Sequence, residues 1–483
     1  MGDKNCGGRK KGFFGMGEPG PSRVIPLFLL ALFCVSFATD AIAAYRSNTG
    51  TSLTSSPKIR YWNSTNSSWG AEVELPTSGS PIRYLQIKAS PIADKMIIVT
   101  QSDDGYLDAY VCTANCGGAG SWTVSNNIGQ VWATAPGTSS KRFDVDFESV
   151  AGDAIAVYSV VNANVANDIA YKVLPQASTS FSGVTEQYIN DAGHATDIQY
   201  TWIHIDPNPR SDEMILAGFD GTNTDINAWV WSGTAWGNYI IISPNPSSTS
   251  GYDALGVKYT SDGAQGMVVG AQGANGDLNW AYWNGTAWSA ISSFDVDASS
   301  NADVRWVTLK ADPSFRGIQA VSITSTSSLE TEYWNGSVWV MTGNVDALID
   351  SGVSRAADFE WNPTGSTGRL VWDTDTTGTT LSQMACSPQC TGAISTISAY
   401  GGTGAWLTMR GNPSSSDTVK ILGLRLNSAF ATGSFRFDGT TFTNYGDTAM
   451  ASSATDSTYE SYDLSFFKPD RIPPTFGAIS IVP

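Results

Sequence analysis

The sequence is poor in histidine and in basic residues. It contains two histidines, His194 and His204, and 27 Lys and Arg residues against 44 Asp and Glu residues, which gives a net charge of -17. A chain this acidic lacks the basic surface on which binding to nucleic acid depends. Gly-x-Ser-x-Gly, His-Glu-x-x-His and P-loop motifs are also missing. The sequence therefore predicts no nucleic-acid partner and none of the enzyme classes that carry those motifs.

Long apolar runs are scarce as well. One run, from Val24 to Ala38, follows a basic N-terminal stretch. It is shorter than the roughly 20 residues that span a bilayer as a helix, and its order of charge and apolarity is typical of a signal peptide. We predict a signal peptide over residues 1–38, with cleavage after Ala43 as the alternative. The mature chain is then a secreted or cell-surface protein without a transmembrane segment.

The composition favours many short strands joined by tight turns. The chain has 48 glycines, 11% aromatic residues and only 15% charged residues, a balance typical of β-rich domains. No long pattern with a period of 3.6 residues follows residue 44. An all-β fold is therefore predicted.

A hairpin motif of two aromatic residues around a turn recurs along the chain. Asn-Gly and Asp-Gly favour the turns of β-hairpins, and aromatic residues on either side can pair across the strands. Two further units carry cysteines in place of the aromatics, and a degenerate unit near residues 171–181 completes a set of eight. The five aromatic units are Trp62–Trp69, Trp231–Trp236, Trp283–Trp288, Trp334–Trp339 and Phe437–Phe442.

A second series of strand, proline-containing turn and apolar strand runs out of phase with the hairpins. The last proline turn, at Pro469, has no following strand, whereas residues 40–47 at the other end closely match residues 153–160. We therefore predict a β-propeller of about eight four-stranded blades over residues 39–470, closed by the two chain ends. Residues 471–483 are predicted to be a proline-containing tail or linker.

The hairpins YWNGTAWS and YWNGSVWV resemble the turn repeats of tectonin-like and fucolectin-like propeller lectins. They resemble the Asp-box hairpins of sialidase-type propellers more loosely, because no hairpin carries Ser-x-Asp. The lectin resemblance implies blades that repeat a glycan pocket. The sialidase resemblance implies arginines on central strands that hold a substrate carboxylate.

Aligning the predicted inner strands on their prolines places arginines at one level in four blades. Guanidinium groups bind carboxylates in bidentate geometry, and a pair of neighbouring carboxylates is the machinery of glycoside hydrolysis. Mutual neutralisation around a central channel is the simpler interpretation. The candidate ligand-binding residues at this axial mouth are Arg83, Arg142, Arg305, Arg355, Asp144, Asp303, Asp358 and Glu360, with Asp146 nearby.

One position further along, six of the eight inner strands carry an aromatic residue. Packing between blades is the predicted role, with sugar stacking as the alternative. His204 is likewise assigned to packing. The six residues are Tyr84, Phe143, Tyr200, Trp306, Trp406 and Tyr462.

Loops such as QSDDGY and DTDTTGTT are rich in the oxygen ligands that calcium prefers. None has EF-hand spacing, and turns require the same residues. We predict no metal or cofactor, with calcium as the alternative.

Four cysteines lie in the predicted mature chain. Each pair faces across a tight hairpin, so disulfides Cys112–Cys116 and Cys386–Cys390 are predicted. Asn-x-Ser/Thr sequons mark candidate glycosylation sites at hairpin tips, namely Asn63, Asn66, Asn284 and Asn335.

Three functions remain open at this stage. The first is a non-catalytic binding or adhesion module for glycans or surface proteins, which the sequence favours over an enzyme. The second is a carboxylate-dependent glycosidase of sialidase type with an arginine-lined axial site. The third is a structural domain of a larger surface protein.

Overall fold

The computed structural model describes most of the chain after residue 39. The predicted signal peptide, the predicted tail and His194 lie outside the described residues. The described residues are 40–49, 52–131, 140–160, 167–189, 198–222, 224–246, 251–273, 276–296, 302–347, 349, 355–374, 380–397, 404–413, 420–426, 432–445 and 460–467.

The described residues form eight antiparallel sheets, which we number as blades 1 to 8. Blade 1 consists of β1 (Ala41–Thr49), β2 (Ser52–Asn63), β3 (Ser68–Trp69), β4 (Val73–Glu74) and β33 (Tyr462–Phe466). Blade 2 consists of β5 (Ile82–Ala89), β6 (Met96–Ser102), β7 (Tyr106–Cys112) and β8 (Trp122–Gln130). Blade 3 consists of β9 (Phe143–Phe147), β10 (Ala154–Ser159), β11 (Ile169–Leu174) and β12 (Gln187–Ile189). Blade 4 consists of β13 (Tyr200–Pro207), β14 (Met214–Asp220), β15 (Asp225–Trp231) and β16 (Trp236–Pro244).

The other four blades repeat the same order. Blade 5 consists of β17 (Leu255–Tyr259), β18 (Gly266–Ala271), β19 (Asp277–Trp283) and β20 (Ser292–Asp295). Blade 6 consists of β21 (Val304–Ala311), β22 (Ile318–Thr324), β23 (Leu329–Trp334) and β24 (Trp339–Asp346). Blade 7 consists of β25 (Ala357–Trp361), β26 (Gly368–Asp373), β27 (Leu381–Cys386) and β28 (Ser395–Thr396). Blade 8 consists of β29 (Gly404–Gly411), β30 (Lys420–Leu426), β31 (Thr432–Phe437) and β32 (Phe442–Asn444).

The inner strands of successive blades contact one another all the way round the ring, from β33 through β5, β9, β13, β17, β21, β25 and β29 back to β33. Blade 1 is completed by both chain ends, because β33 pairs antiparallel with β1 in the register Ala43 to Leu464. The predicted propeller and its closure are therefore confirmed. The part of the chain that the structure describes contains no helix long and apolar enough to cross a membrane.

The hairpins form as their turn residues require. Gly285 and Gly336 lie in the left-handed region, with φ of +90° and +96°, which glycine adopts at little cost. The aromatic pairs face each other across the strands, as Trp334 does Trp339. Both predicted disulfides are confirmed, with Cα–Cα distances of 5.6 Å in blade 2 and 4.1 Å in blade 7.

The inner strand of every even-numbered blade is irregular at the same place. The registers of β5, β13, β21 and β29 shift just before an aromatic residue. A β-bulge adds a residue and turns the next side chain to a new direction. The four aromatics that follow or lie within these irregularities are Tyr84, Trp202, Trp306 and Trp406.

These four rings meet one another although their blades are not adjacent. Ring centroids are 6.1 Å apart for Tyr84 and Trp202, 5.8 Å for Trp202 and Trp306, and 5.3 Å for Trp306 and Trp406. All four are at most 1% exposed. Rings from alternate blades can touch only near the axis, so they form an axial aromatic cluster.

The inner-strand aromatics are buried in packing contacts, as predicted, but three of the six pack on rings of non-adjacent blades at the axis instead of between neighbouring blades. Tyr84, Trp306 and Trp406 belong to the axial aromatic cluster because the bulge redirects them. In blade 4 the axial ring is Trp202, whose φ is +49°, whereas Tyr200 packs on Trp229. Phe143 and Tyr462 are buried in the core.

Candidate functional site

A cavity of about 340 Å³ lies on the axis and is lined by inner-strand residues from all eight blades. Its lining begins directly after the axial aromatic cluster, at Leu85 and Val307, and continues toward the turns that follow the inner strands. The volume is within the roughly 300–1,000 Å³ of small-molecule sites. The charged residues that line it are Lys88, Lys141, Lys258, Lys310, Arg355, Arg410, Asp144, Asp206, Asp358, Glu360, Glu460 and Asp463, with His204 beside them.

Three aspartates on the inner strands of odd-numbered blades link neighbouring blades in the same way. In each, Oδ1 accepts the N–H of the following residue, at 2.7 Å for Asp144 and 2.8 Å for Asp358 and Asp463. Oδ2 accepts a backbone N–H from the next blade, donated at 2.8 Å by Ile205 to Asp144 and at 2.7 Å by Met409 to Asp358. Such bonds satisfy inner-strand amides and fix the spacing of the blades.

Basic side chains of the cavity pair with carboxylates across blade boundaries. The N–O distances are 2.7 Å for Lys88 and Asp146, 3.2 Å for Lys310 and Glu360, and 2.9 Å for Arg410 and Asp463. Lys258 pairs with Asp206, and His204 Nε2 lies 2.7 Å from Asp253. Burial alone lowers the pKa of Lys88, but the carboxylates of Asp146 and Asp144 hold it above its ordinary value.

Of the four arginines predicted at the axial mouth, Arg355 alone is among the residues that line the cavity. Arg355 forms an ion pair with Glu460 at 3.0 Å. Burial alone lowers the pKa of Arg355, but the Glu460 carboxylate keeps this pKa raised. The three others have different partners, which are Asp103 for Arg83, Gln199 for Arg142 and the ring of Tyr252 for Arg305. Arg83 and Arg305 lie at the bulges, where the register counted back from proline fails.

The predicted carboxylates divide in a similar way. Asp144, Asp358 and Glu360 line the cavity. The Asp303 carbonyl accepts the N–H of Ser325 at 2.7 Å, and this residue is outside the cavity lining.

The proline alignment missed the cavity cations. A charged or ionisable side chain recurs three residues before the turn proline, and this recurrence was the available signal for the cavity lining. The residues at this position are Lys88, His204, Lys310, Glu360 and Arg410. Lys141 and Lys258 lie on strands without that proline and carried no comparable signal.

Aromatic rings also meet at the outer edges of neighbouring blades, where half-buried tryptophans begin the fourth strands. In the junction of blades 3 and 4, Tyr171 lies 6.3 Å from Trp236. In the junction of blades 5 and 6, Phe294 lies 4.9 Å from Trp339 and Tyr282 lies 6.0 Å from Trp334. We call these two sites the 3/4 and 5/6 aromatic junctions.

The tryptophans of these junctions have unused donors. Nε1 of Trp236 and Nε1 of Trp339 find no hydrogen-bond acceptor within the described ranges. The equivalent Trp288 of blade 5 donates to the carbonyl of Asn238 at 2.6 Å, and Trp69 of blade 1 donates to Ser434 at 2.9 Å. Both of these Nε1 atoms are themselves buried, so the partly exposed surface of each junction consists of its aromatic rings.

The sequons occupy the hairpin tips as predicted. Oδ1 of Asn284 accepts from Thr286 and Ala287, and Oδ1 of Asn335 accepts from Ser337 and Val338. Across the described ranges, no group of three or more His, Cys, Asp or Glu side chains is arranged to hold a metal ion.

No protein-family model and no curated relative matches the chain. A lectin from Burkholderia pseudomallei is similar in structure, with a TM-score of 0.50 and 12% identity over 77% of this chain and 100% of that one. A putative 6-phosphogluconolactonase from Bacteroides uniformis aligns at a TM-score of 0.45 and 10% identity, over 89% of this chain and 99% of its own. A fucose-specific lectin from Aleuria aurantia aligns at a TM-score of 0.36 and 13% identity, over 66% and 97% of the two chains. At these identities the similarity shows the β-propeller fold alone. The structures similar to this chain include lectins.

Proposed function

We propose that this protein is a non-catalytic carbohydrate-binding module whose sugar sites are the 3/4 and 5/6 aromatic junctions. The observation that supports this most is the repetition, at both junctions, of a half-buried tryptophan packed on an aromatic ring of the neighbouring blade. The C–H face of a sugar ring packs on the exposed part of such an aromatic ring. The lectin among the similar structures is consistent with this proposal.

The axial carboxylates support the non-catalytic part of the proposal. A glycosidase needs one carboxylic acid that donates a proton and a second carboxylate that acts as base or nucleophile. Asp144 and Asp358 instead accept two backbone N–H groups each, and Glu360 pairs with Lys310. These carboxylates therefore act as acceptors and ion-pair partners that hold the blades together.

Export is part of the same proposal. Ala41, Ala43 and Ala44 are fully buried in β1, so cleavage after Ala43 removes part of a strand, whereas cleavage after Ala38 leaves β1 whole. N-terminal sequencing of protein secreted by an expressing cell tests this. We expect Thr39 as the first residue, and a first residue within β1 would contradict it.

A glycan array tests the binding activity directly. We expect wild-type protein to bind a defined set of glycans, and Trp236→Ala with Trp339→Ala to reduce that binding at least tenfold. Trp288→Ala is the matched control because the Trp288 ring packs on Trp283 of its own blade and lies outside both junctions. Equal binding by wild type and the double variant, or turnover of fluorogenic glycosides by wild type, would overturn the proposal.

A further inference from the structure

Lys141 is the cation of the axial cavity lining that forms no ion pair with a carboxylate among the described residues. It is 6% exposed, and its Nζ donates to Oε1 of Gln86 at 3.3 Å. Every other lysine and arginine in the cavity lining pairs with a carboxylate, as Arg355 does with Glu460. Within the described ranges Lys141 has no such pair, and its ring contact is a distance of 5.9 Å from Nζ to the centre of Phe143.

A buried ammonium ion without a counter-charge is costly, because burial removes its hydration. Lysine has three N–H donors, of which Lys141 uses one on Gln86. Two donors are therefore left at the cavity wall. A bound anion would supply both an ion-pair partner for Lys141 and the missing acceptors.

The neighbouring carboxylates restrict the charge of that anion. Asp144, Glu460 and Asp463 also line the cavity, where backbone N–H groups or arginine side chains bond them. The lining has six basic and six acidic side chains, so Lys141 can pair with one added carboxylate, whereas the neighbouring carboxylates repel a dianion. Uncharged polar groups, namely Gln86, Thr308 and Ser465, complete the lining and match hydroxyl groups.

We infer that the axial cavity binds a small, hydroxylated monocarboxylate, whose carboxylate accepts hydrogen bonds from Lys141. This site is separate from the aromatic junctions, so it stands independently of the proposed carbohydrate sites. The cavity volume of about 340 Å³ accommodates a ligand of one sugar ring in size.

The test compares D-glucuronate with D-glucose, which differ in the carboxylate, and with inorganic phosphate as the dianion. Binding is measured by calorimetry and by the shift of the thermal unfolding midpoint. We expect D-glucuronate to bind wild type at least tenfold more tightly than either other probe. Lys141→Met should lose at least tenfold in affinity, whereas Lys172→Met, on β11 away from the cavity, should match wild type.

A second variant decides the matter if Lys141→Met does not fold. Gln86→Glu changes shape little and places a carboxylate beside Lys141, so we expect it to raise the unfolding midpoint and to abolish D-glucuronate binding. The inference is overturned if D-glucuronate binds wild type no better than D-glucose, if phosphate binds more tightly, or if Gln86→Glu binds D-glucuronate as wild type does. The Trp236 and Trp339 variants should keep D-glucuronate binding, which separates this site from the junctions.

Discussion

At the scale of single residues, the most unusual side chain is Glu332 in blade 6. It is fully buried on β23, with the hydroxyl of Ser322 beside its carboxyl group. Burial, and the neighbouring Glu330, raise the pKa of Glu332 well above its ordinary value. A carboxyl group with a raised folded-state pKa costs no stability below its unfolded-state pKa and an increasing amount as the pH rises above it.

We therefore predict that Glu332→Gln changes the pH dependence of stability. Glutamine resembles the protonated acid, so the two proteins should unfold alike near pH 4, whereas the variant should be more stable at pH 8 by about 1 kcal/mol or more. Urea unfolding at both pH values measures this. Glu74→Gln, at an exposed position on β4, is the control, and an equal gain from both substitutions would contradict the prediction.

At the scale of strands, the bulges in the inner strands of the even-numbered blades explain which parts of the site were predictable. Hairpin turns, disulfides and ring closure follow from local spacing and from complementary chain ends, and all were predicted. The direction of inner-strand side chains was not, because a bulge before Tyr84, Trp306 and Trp406 breaks the alternation on which it depends. The same register error placed Arg83 and Arg305 at the axial mouth.

The bulges predict a strong dependence of stability on the axial aromatic cluster. Trp306 contacts Trp202, Trp406 and Tyr252 with ring centroids 5.3 to 5.8 Å apart. Trp306→Ala should cost about 3–5 kcal/mol of unfolding free energy, as large cavities in cores do. Trp288→Ala, at a half-buried position, should cost much less in the same urea titration. Similar losses for both would show that the cluster has no special role.

At the scale of the whole molecule, stability depends on closing the ring. β33 supplies the inner strand of blade 1 and covers Ala43 and Tyr45 of β1, which are fully buried. Ending the chain before residue 460 should lower the midpoint of thermal unfolding by more than about 2–4 °C, the shift that 1 kcal/mol causes in a domain of about 150–250 residues. Ending it after residue 470 should leave the midpoint unchanged. Equal midpoints for the two truncated chains would refute closure through β33.

The number of sugar sites per molecule also belongs to this scale. The proposed function assigns one site to each of the two aromatic junctions, whereas an enzyme-like axial site would give one in total. Repetition of a pocket is what a propeller gains from repeating its blades. The proposed carbohydrate binding therefore predicts the number of glycans bound per chain.

Isothermal titration of the folded protein with the best glycan from the array measures that stoichiometry. We predict two sites per chain for wild type, one for Trp236→Ala or Trp339→Ala alone, and none for the double variant. A single site that persists in the double variant would contradict carbohydrate binding at the junctions.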